Sequence, residues 1–515
     1  MSESHTPSVT IIGAGPGGLS SAILLAGRGF KVRVLERRDR VGGRTSTIEK
    51  DGFRFDLGPT FFLYPKVLEE IFEEVGLDLW KEIEMKRLDP QYRIQFAGGG
   101  KIDASPDEAV MREQIAKLNP DDADGFERFL NENRKKLHAF LPVLQSPFSG
   151  WSDLVNSQLV GSIPHLNPHQ SVDSYLKRFF KDPRVRIAFC FQSKYLGMSP
   201  YRCPSLFSIL SFLEYEYGVY HPMGGCAAVS EAMARIAESM GVEIRLNEPV
   251  TGLEFEGRKV KGVKTPQGTY SSDSMVINAD FARAMTSLVP NHLRRRWSDE
   301  KLSKKRFSCS TYMLYLGVDQ QYDLPHHNIC ISEDYEQNLR DIEELHQISE
   351  QPSFYVQNAC VTDPSLAPEG KSALYVLAPV THQADSVDWK QAAGPLRSKL
   401  IQQMAEIGFD NVEGNIITET MITPDDWDQQ YNIHLGATFN LAHNLTQMLH
   451  LRPRNRFEDL EGVYLVGGGT HPGSGLPVIF ESAKITSDLM CQDFSVSHAG
   501  SSKKKEEADL SPVVA

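Results

Sequence analysis

The stretch Ser8-Val9-Thr10-Ile11-Ile12-Gly13-Ala14-Gly15-Pro16-Gly17-Gly18 decides the fold. Ser8–Ile12 is a short, β-prone apolar run, and it predicts a buried strand. The glycines that follow fit the spacing G-x-G-x-x-G. In such a turn the first glycine permits the sharp bend after the strand. The second lets the backbone approach a pyrophosphate, and the third lets helix and strand pack closely. Leu19–Arg28 reads as a helix rich in Ala and Leu, and Lys31–Leu35 as the next strand. The sequence is therefore strand, turn, helix, strand within about thirty residues. Glu36 closes the second strand, 18 residues after Gly18. A carboxylate there accepts hydrogen bonds from ribose hydroxyls and repels a 2′-phosphate. A lone glycine fingerprint is weak, but this one has the strand, the helix and the acid that its mechanism requires. Gly13, Ala14, Gly15, Gly17, Gly18 and Glu36 are thus candidate dinucleotide-binding residues, on an α/β fold.

Outward from this unit, Gly42-Gly43-Arg44 supplies a loop able to pass close to the ligand, and an arginine for phosphate or a ring edge. The order of fingerprint, Glu36 and Gly-Gly-Arg resembles FAD enzymes of the glutathione-reductase-like and amine-oxidase-like group more than nicotinamide dehydrogenases. Gly58-Pro59-Thr60 falls where that group brings backbone to the flavin ring.

The 515 residues are too many for one simple core and imply two or three subdomains. Apolar residues at 41% and charged residues at 23% are ordinary for a folded chain. A net charge of −13 argues against nucleic acid as the main partner. The seven cysteines (190, 203, 226, 309, 330, 360 and 491) show no Cys-x-x-Cys pair. They imply neither a disulfide framework nor a zinc site, and favour a reducing, cytoplasmic setting. The N-terminus lacks the basic-then-apolar pattern of a signal peptide, and no run reaches the ~18 apolar residues of a spanning helix.

Further along, Lys66–Val75 and Asp122–Phe140 have helical spacing, and Tyr92–Phe96 with Lys101–Asp103 reads as a hairpin. Ser146–Pro168 is loop-like. Ser230–Met240 predicts a helix and Val242–Leu246 a strand. Gly252–Phe255, Val260–Thr265 and Gly268–Tyr270 predict a meander, and Met275–Asn278 a buried strand. Residues 307–440 mix strands with helices such as Gln391–Ile407. Gly462–Val466 predicts the last strand, Val478–Met490 the last helix, and a disordered tail follows from about Ser495.

Last strand and last helix are joined by Gly467-Gly468-Gly469-Thr470-His471-Pro472-Gly473-Ser474-Gly475-Leu476-Pro477. Glycines this dense at a helix start build a nest of N–H groups suited to anionic cofactor atoms, and two prolines argue against simple flexibility. Thr470 through Pro477, with Glu481-Ser482-Ala483-Lys484, closely resembles the C-terminal motif of bacterial and fungal-type phytoene desaturases. Ser308-Cys309-Ser310, His326-His327, Val361 through Pro368, Thr423 through Trp427, Gln447 and Arg452-Pro453 resemble the same family. The resemblance runs from about residue 8 to 490.

It implies a Rossmann-type, discontinuous FAD-binding domain (1–64, 221–306 and 455–494). It also implies an amine-oxidase-like α+β substrate domain (307–454), a mostly helical substrate and membrane-associated region (65–220), and a tail (495–515). The cofactor is FAD, touched also by Gly42, Gly43, Arg44, Gly58, Pro59, Thr60, Gly468, Gly469, Gly475, Leu476, Pro477 and Val478, with Val250 ending the returning strand at the adenine. The activity implied is the introduction of conjugated double bonds into a long isoprenoid carotenoid precursor by hydride transfer to flavin. Oxygen or a quinone accepts the electrons, and the protein is cytoplasmic with peripheral membrane association. Terminal-methyl oxidation or isomerisation of a carotenoid, an amine oxidase, and a non-enzymatic lipid carrier are the alternatives. Gly475-Leu476-Pro477 and Phe480-Glu481-Ser482 sit closer to the C30 side of the family.

His471 either positions substrate and takes a proton as the catalytic residue, or bonds to backbone and shapes the loop. His221 is a second candidate near the site. His326-His327 shows no pattern of metal ligands, and no metal is expected. Phe61–Tyr64 is a tunnel candidate, Leu206–Tyr220 reads mainly as core, and Trp151 either enters a bilayer or packs between domains.

Overall fold

The computed structural model describes residues 6–150, 169–384 and 386–497. Trp151, most of the expected 146–168 loop and nearly all of the expected tail lie outside these residues.

A five-stranded sheet forms the base. Its order is Glu243–Arg245, Lys31–Leu35, Ser8–Ile12, Ser274–Ile277, Val463–Leu465, and every neighbouring pair is parallel. Strands buried on both faces read as continuous apolar runs, as in Ser274–Ile277, which is wholly buried. Helix Pro16–Gly27 lies against helices Ala227–Ser239 and Leu476–Asp493. The first helix begins three residues before the expected Leu19 because Pro16 is favourable at a helix start, where its missing N–H costs nothing. The second half of the glycine fingerprint is therefore already helix. The last helix likewise begins at Leu476, with Pro477 in its first turn.

A meander of Gly252–Glu256, Lys259–Thr265 and Gly268–Ser271 sits beside this layer. A seven-stranded sheet carries the other half of the molecule. Its order is Ile416–Ile422, Ser310–Val318, Ser372–Val380, Phe354–Asn358, His327–Ile331, Tyr92–Phe96, Lys101–Ala104. All neighbours are antiparallel except His327–Ile331 with Tyr92–Phe96. The hairpin expected within a mostly helical region thus completes the sheet of residues 310–422. Its buried face, Tyr92, Ile94 and Phe96, needs that partner. Phe62–Leu63, Val219–Pro222 and Met85–Arg87 form a further, small three-stranded sheet. Around them helices including Gly125–Leu144 and Ile209–Tyr217 bury an aromatic core to which Leu206, Ile209, Phe212 and Tyr215 belong, in keeping with the core reading of that stretch.

Candidate active site

Gly13 takes a left-handed φ of +98°, and a Cβ there would lie 2.4 Å from the Asn278 carbonyl oxygen, so no other residue fits. Asn278, the polar residue directly after strand Ser274–Ile277, donates through Nδ2 to the carbonyls of Gly13 (2.9 Å) and Gly15 (3.3 Å). The neighbouring strand therefore pins the turn. Glu36 is buried, accepting the Ala14 N–H on Oε2 at 2.8 Å and the Arg38 N–H on Oε1 at 2.9 Å. A carboxylate has about four acceptor sites, so two remain for hydroxyls. The Gly42 N–H donates to the Ala14 carbonyl at 2.8 Å, which ties the Gly42-Gly43-Arg44 bend to the same turn. Arg44 is half-buried and donates to the Thr438 carbonyl. Burial lowers its pKa, and Asp280 opposes that shift. Val250 does not end the returning strand. That strand stops at Arg245, and Val250 packs beside the core of the meander and its neighbours.

The C-terminal loop approaches from the other side. Gly475 caps the last helix with φ +111°, and Gly475 through Ile479 stay half-buried while Phe480–Ser482 are buried. A Cβ on Gly17 would sit 3.0 Å from Ile479, so the starts of the first and last helices lie side by side. Neither helix has a side-chain cap or an acid in its first turn. Two adjacent N-termini thus present free N–H groups and positive dipole ends, the arrangement that suits a pyrophosphate and an anionic ring edge. The cradle fits FAD on these grounds.

Arg452 is fully buried and fixes the loop. Nη2 donates to the Gly468 carbonyl (2.7 Å) and Nε to that of Thr470 (3.1 Å), with further bonds to the Leu441 and Gln447 carbonyls. Burial pushes its pKa down to about 9. His471 is buried in the same loop, its Nε2 3.0 Å from the Ser146 carbonyl and its ring edge against Phe148. That bond requires the Nε2–H tautomer, leaving Nδ1 without a partner. Burial, against the pull of Ser146, lowers the ring's pKa to about 4, so it is neutral at ordinary pH.

The third side begins at Gly58-Pro59-Thr60. The Arg44 carbonyl lies 2.6 Å from where a Gly58 Cβ would be, so the two loops touch backbone to backbone. The seven-stranded sheet holds this segment. The Tyr375 hydroxyl donates to the Gly58 carbonyl at 2.7 Å, Gln357 Nε2 lies 3.3 Å from the Thr60 carbonyl, and the Tyr355 hydroxyl is 2.9 Å from Thr60 Oγ1. The Phe61 ring meets Tyr195 (5.4 Å) and His327 (5.2 Å), and Phe62 meets Phe480 of the last helix.

His221 lies in this wall rather than on the cofactor turn. Its Nε2 is 3.3 Å from Asp363 Oδ2 and its ring 4.6 Å from His326. Burial raises the Asp363 pKa, but the bonds from His221, Ser365 and Gly224 outweigh it and hold the carboxylate well below its usual range. His326 and His327 are both pushed well below the ordinary histidine value by burial and by neighbouring rings. Among the described residues no cluster of His, Cys, Asp and Glu converges to hold a metal ion. Asn278, Tyr355 and Glu214 carry no motif and escaped the sequence reading. Glu214 accepts from Tyr92 and Gln192, and burial raises it to about 7.

Residues 16–491 match the family described as flavin containing amine oxidoreductase. The chain is 42% identical to a 4,4'-diapophytoene desaturase (4,4'-diapolycopene-forming) of Methylomonas sp, over 96% of each chain. It is 36% identical to the zeta-carotene-forming phytoene desaturase of Myxococcus xanthus, over 94% of this chain and 93% of that one. With the lycopene-forming phytoene desaturase of Pantoea ananas identity is 34%, over 94% and 99%. Among solved structures, putrescine oxidase matches at TM-score 0.59 and 14% identity (95% and 99% covered), and cyclohexylamine oxidase from Brevibacterium oxydans at 0.58 and 15% (95% and 100%). These two share the fold.

Proposed function

The chain belongs to the flavin-containing amine oxidoreductase family as an FAD-dependent carotenoid desaturase, and we propose that its substrate is a C30 diapocarotenoid precursor. The observation that carries the chain length is the 42% identity with a diapophytoene desaturase, against 34–38% with several relatives whose names specify phytoene or zeta-carotene. Near-complete coverage by desaturases supports this reading over an amine oxidase.

Bound FAD supplies the hydride acceptor. Gly13, Ala14, Gly15, Gly17 and Gly18 cradle the pyrophosphate, and Glu36 takes the ribose hydroxyls. Gly42, Gly43 and Arg44 cover the turn, while Gly58, Pro59 and Thr60 form one edge of the ring site. Gly468, Gly469, Gly475, Leu476, Pro477 and Val478 form the other. These are proposed roles, supported by the convergence of the three loops on one cleft. Positive charge on an allylic polyene spreads along the chain, so the protein's task is mainly to orient the polyene and exclude water. Phe61 and Tyr195 suit that task as packed aromatic surface. His471 is assigned to holding Ser146 and Phe148 against the glycine loop, which its Ser146 bond supports. Oxygen or a quinone is the proposed electron acceptor. A membrane surface is the proposed source of the lipid substrate. No helix among the described residues is long and apolar enough to cross a bilayer, so association would be from one face.

Expression in cells supplying either C30 or C40 colourless precursor, with pigment absorption and mass read together, tests the reading. Loss of hydrogen pairs with new conjugation on the C30 precursor is expected. Conjugation only on the C40 precursor overturns the chain length. Oxygen gained on an already coloured polyene moves the activity to terminal oxidation.

A further inference from the structure

Taking hydrogen from two adjacent carbons as a hydride and a proton leaves the proton to be placed, in a site that excludes water. We propose that His327 is the base that receives it, with Tyr355 and Thr60 holding its ring in the receptive tautomer. The proposal rests on the desaturase reading.

His327 opens a central strand of the seven-stranded sheet and is buried. Its Nδ1 lies 2.7 Å from the Tyr355 hydroxyl, which lies 2.9 Å from Thr60 Oγ1. With Tyr355 donating to Thr60, the tyrosine oxygen accepts from Nδ1–H. Nε2 then carries a lone pair and no proton. That nitrogen has no hydrogen-bond partner. A buried polar atom left unpaired is costly, and such atoms in folded proteins call for a ligand or a chemical role. The ring edge lies against Phe61, the residue after Thr60 on the rim of the cofactor cleft. Tyr355 therefore bonds to both His327 and Thr60, and Phe61 of the ring-site segment packs on the same imidazole.

The surroundings keep the ring neutral and ready to accept a proton. The His326 ring is 4.4 Å from that of His327, and its Nδ1 is 2.8 Å from Thr362 Oγ1, a half-buried residue. His221 stands next in the row, against the Asp363 carboxylate. The Tyr355 and Phe61 rings flank His327, and Tyr195 packs behind Phe61. The row runs from His327 through His326 to His221 and ends on the buried Asp363 carboxylate. The neutral ring is a weak base here, which suffices, because a C–H beside an allylic cation is a strong acid. In the balanced step, one C–H bond breaks with both electrons leaving as hydride to the bound FAD. The adjacent C–H bond breaks, its electron pair becoming the new C=C bond and its proton bonding to Nε2. Hydride and proton together then reduce the oxygen or quinone acceptor, which restores both the oxidised flavin and the neutral His327 ring.

The test compares wild type, H327Q, H327A and Y355F on the C30 precursor, with flavin content by absorbance and polyene binding by fluorescence quenching read on each. H327Q is expected to lose about 10²-fold or more in kcat, the scale of a general base, with flavin content and polyene affinity unchanged. H327A is expected to regain turnover with added imidazole, in proportion to the neutral form as pH is varied. Y355F keeps the ring packing and is expected to lower kcat about tenfold without moving KM. Turnover of H327Q within about twofold of wild type, or rescue that ignores the imidazole protonation state, overturns the assignment. Should both His327 variants fail to retain FAD, unchanged kcat in Y355F overturns it. A wild-type protein that conjugates no precursor defeats the desaturase reading itself, so the two failures are separable.

Discussion

The two sides of the cleft are built in opposite ways. The proposed cofactor side is backbone: glycines at 13, 15, 17 and 18, two uncapped helix starts, and carbonyls gathered on Asn278 and Arg452. The proposed substrate side is side chain: Phe61, Tyr195, His327 and Tyr355, drawn from four separate segments and held by rings and hydroxyls. A site made of backbone tolerates almost no added atom, whereas a site made of side chains can be retuned one residue at a time. The first suits a fixed cofactor, and the second suits substrates that differ in length and end group.

The largest test of this contrast is Gly13→Val. The added carbon meets the Asn278 carbonyl and the left-handed φ disfavours it. Purified protein is expected to carry no flavin absorbance while its near-ultraviolet aromatic signal persists; retained flavin would break the contrast. Next, Glu36→Ala removes a charged acceptor and is expected to weaken FAD about 10–100-fold in a titration.

The third test turns to the side-chain half. Glu214 has a folded pKa of about 7, raised by burial from 4.5. The folded state therefore holds a proton that the unfolded state has lost. Stability falls as pH rises from 4.5 to 7, by up to about 3 kcal/mol. Glu214→Gln is expected to flatten that limb in thermal melts. His471 runs the other way. Its pKa falls from 6.5 to about 4, so stability is lost as pH drops through that window. The smallest effect is on turnover in His471→Asn, expected within about twofold of wild type with FAD bound, the size of a minor packing change. A larger loss of kcat with full flavin would return His471 to a catalytic role.

The same contrast explains what could be read from the chain. The glycine fingerprint and the C-terminal loop are contiguous because a tight backbone turn must be made by neighbouring residues. Their strands and helices were legible to within a few positions. Helix starts were missed where proline lets the helix begin inside the glycine run. The end of the returning strand was legible to within one residue, whereas Val250, placed there by resemblance, lies five residues past it, just before the meander. The hairpin Tyr92–Ala104 was legible as a hairpin, but its sheet was not, since its partner His327–Ile331 lies more than 200 residues away. Tyr355 and Asn278 sit in ordinary strand context, and only the assembled sheets reveal what they touch.

The parallel sheet has one further consequence. Its strands come from residues 8–12, 31–35, 243–245, 274–277 and 463–465, and the cradle closes only with the helix that ends at Asp493. During synthesis the first half of the cradle waits for the helix Leu476–Asp493, more than 400 residues on, to leave the ribosome. Such long-range pairing is slow and leaves strand edges exposed in the meantime. Flavin capture is thus a late checkpoint in the life of each molecule, and bound colour reports that the chain has been made as far as this last helix and has folded.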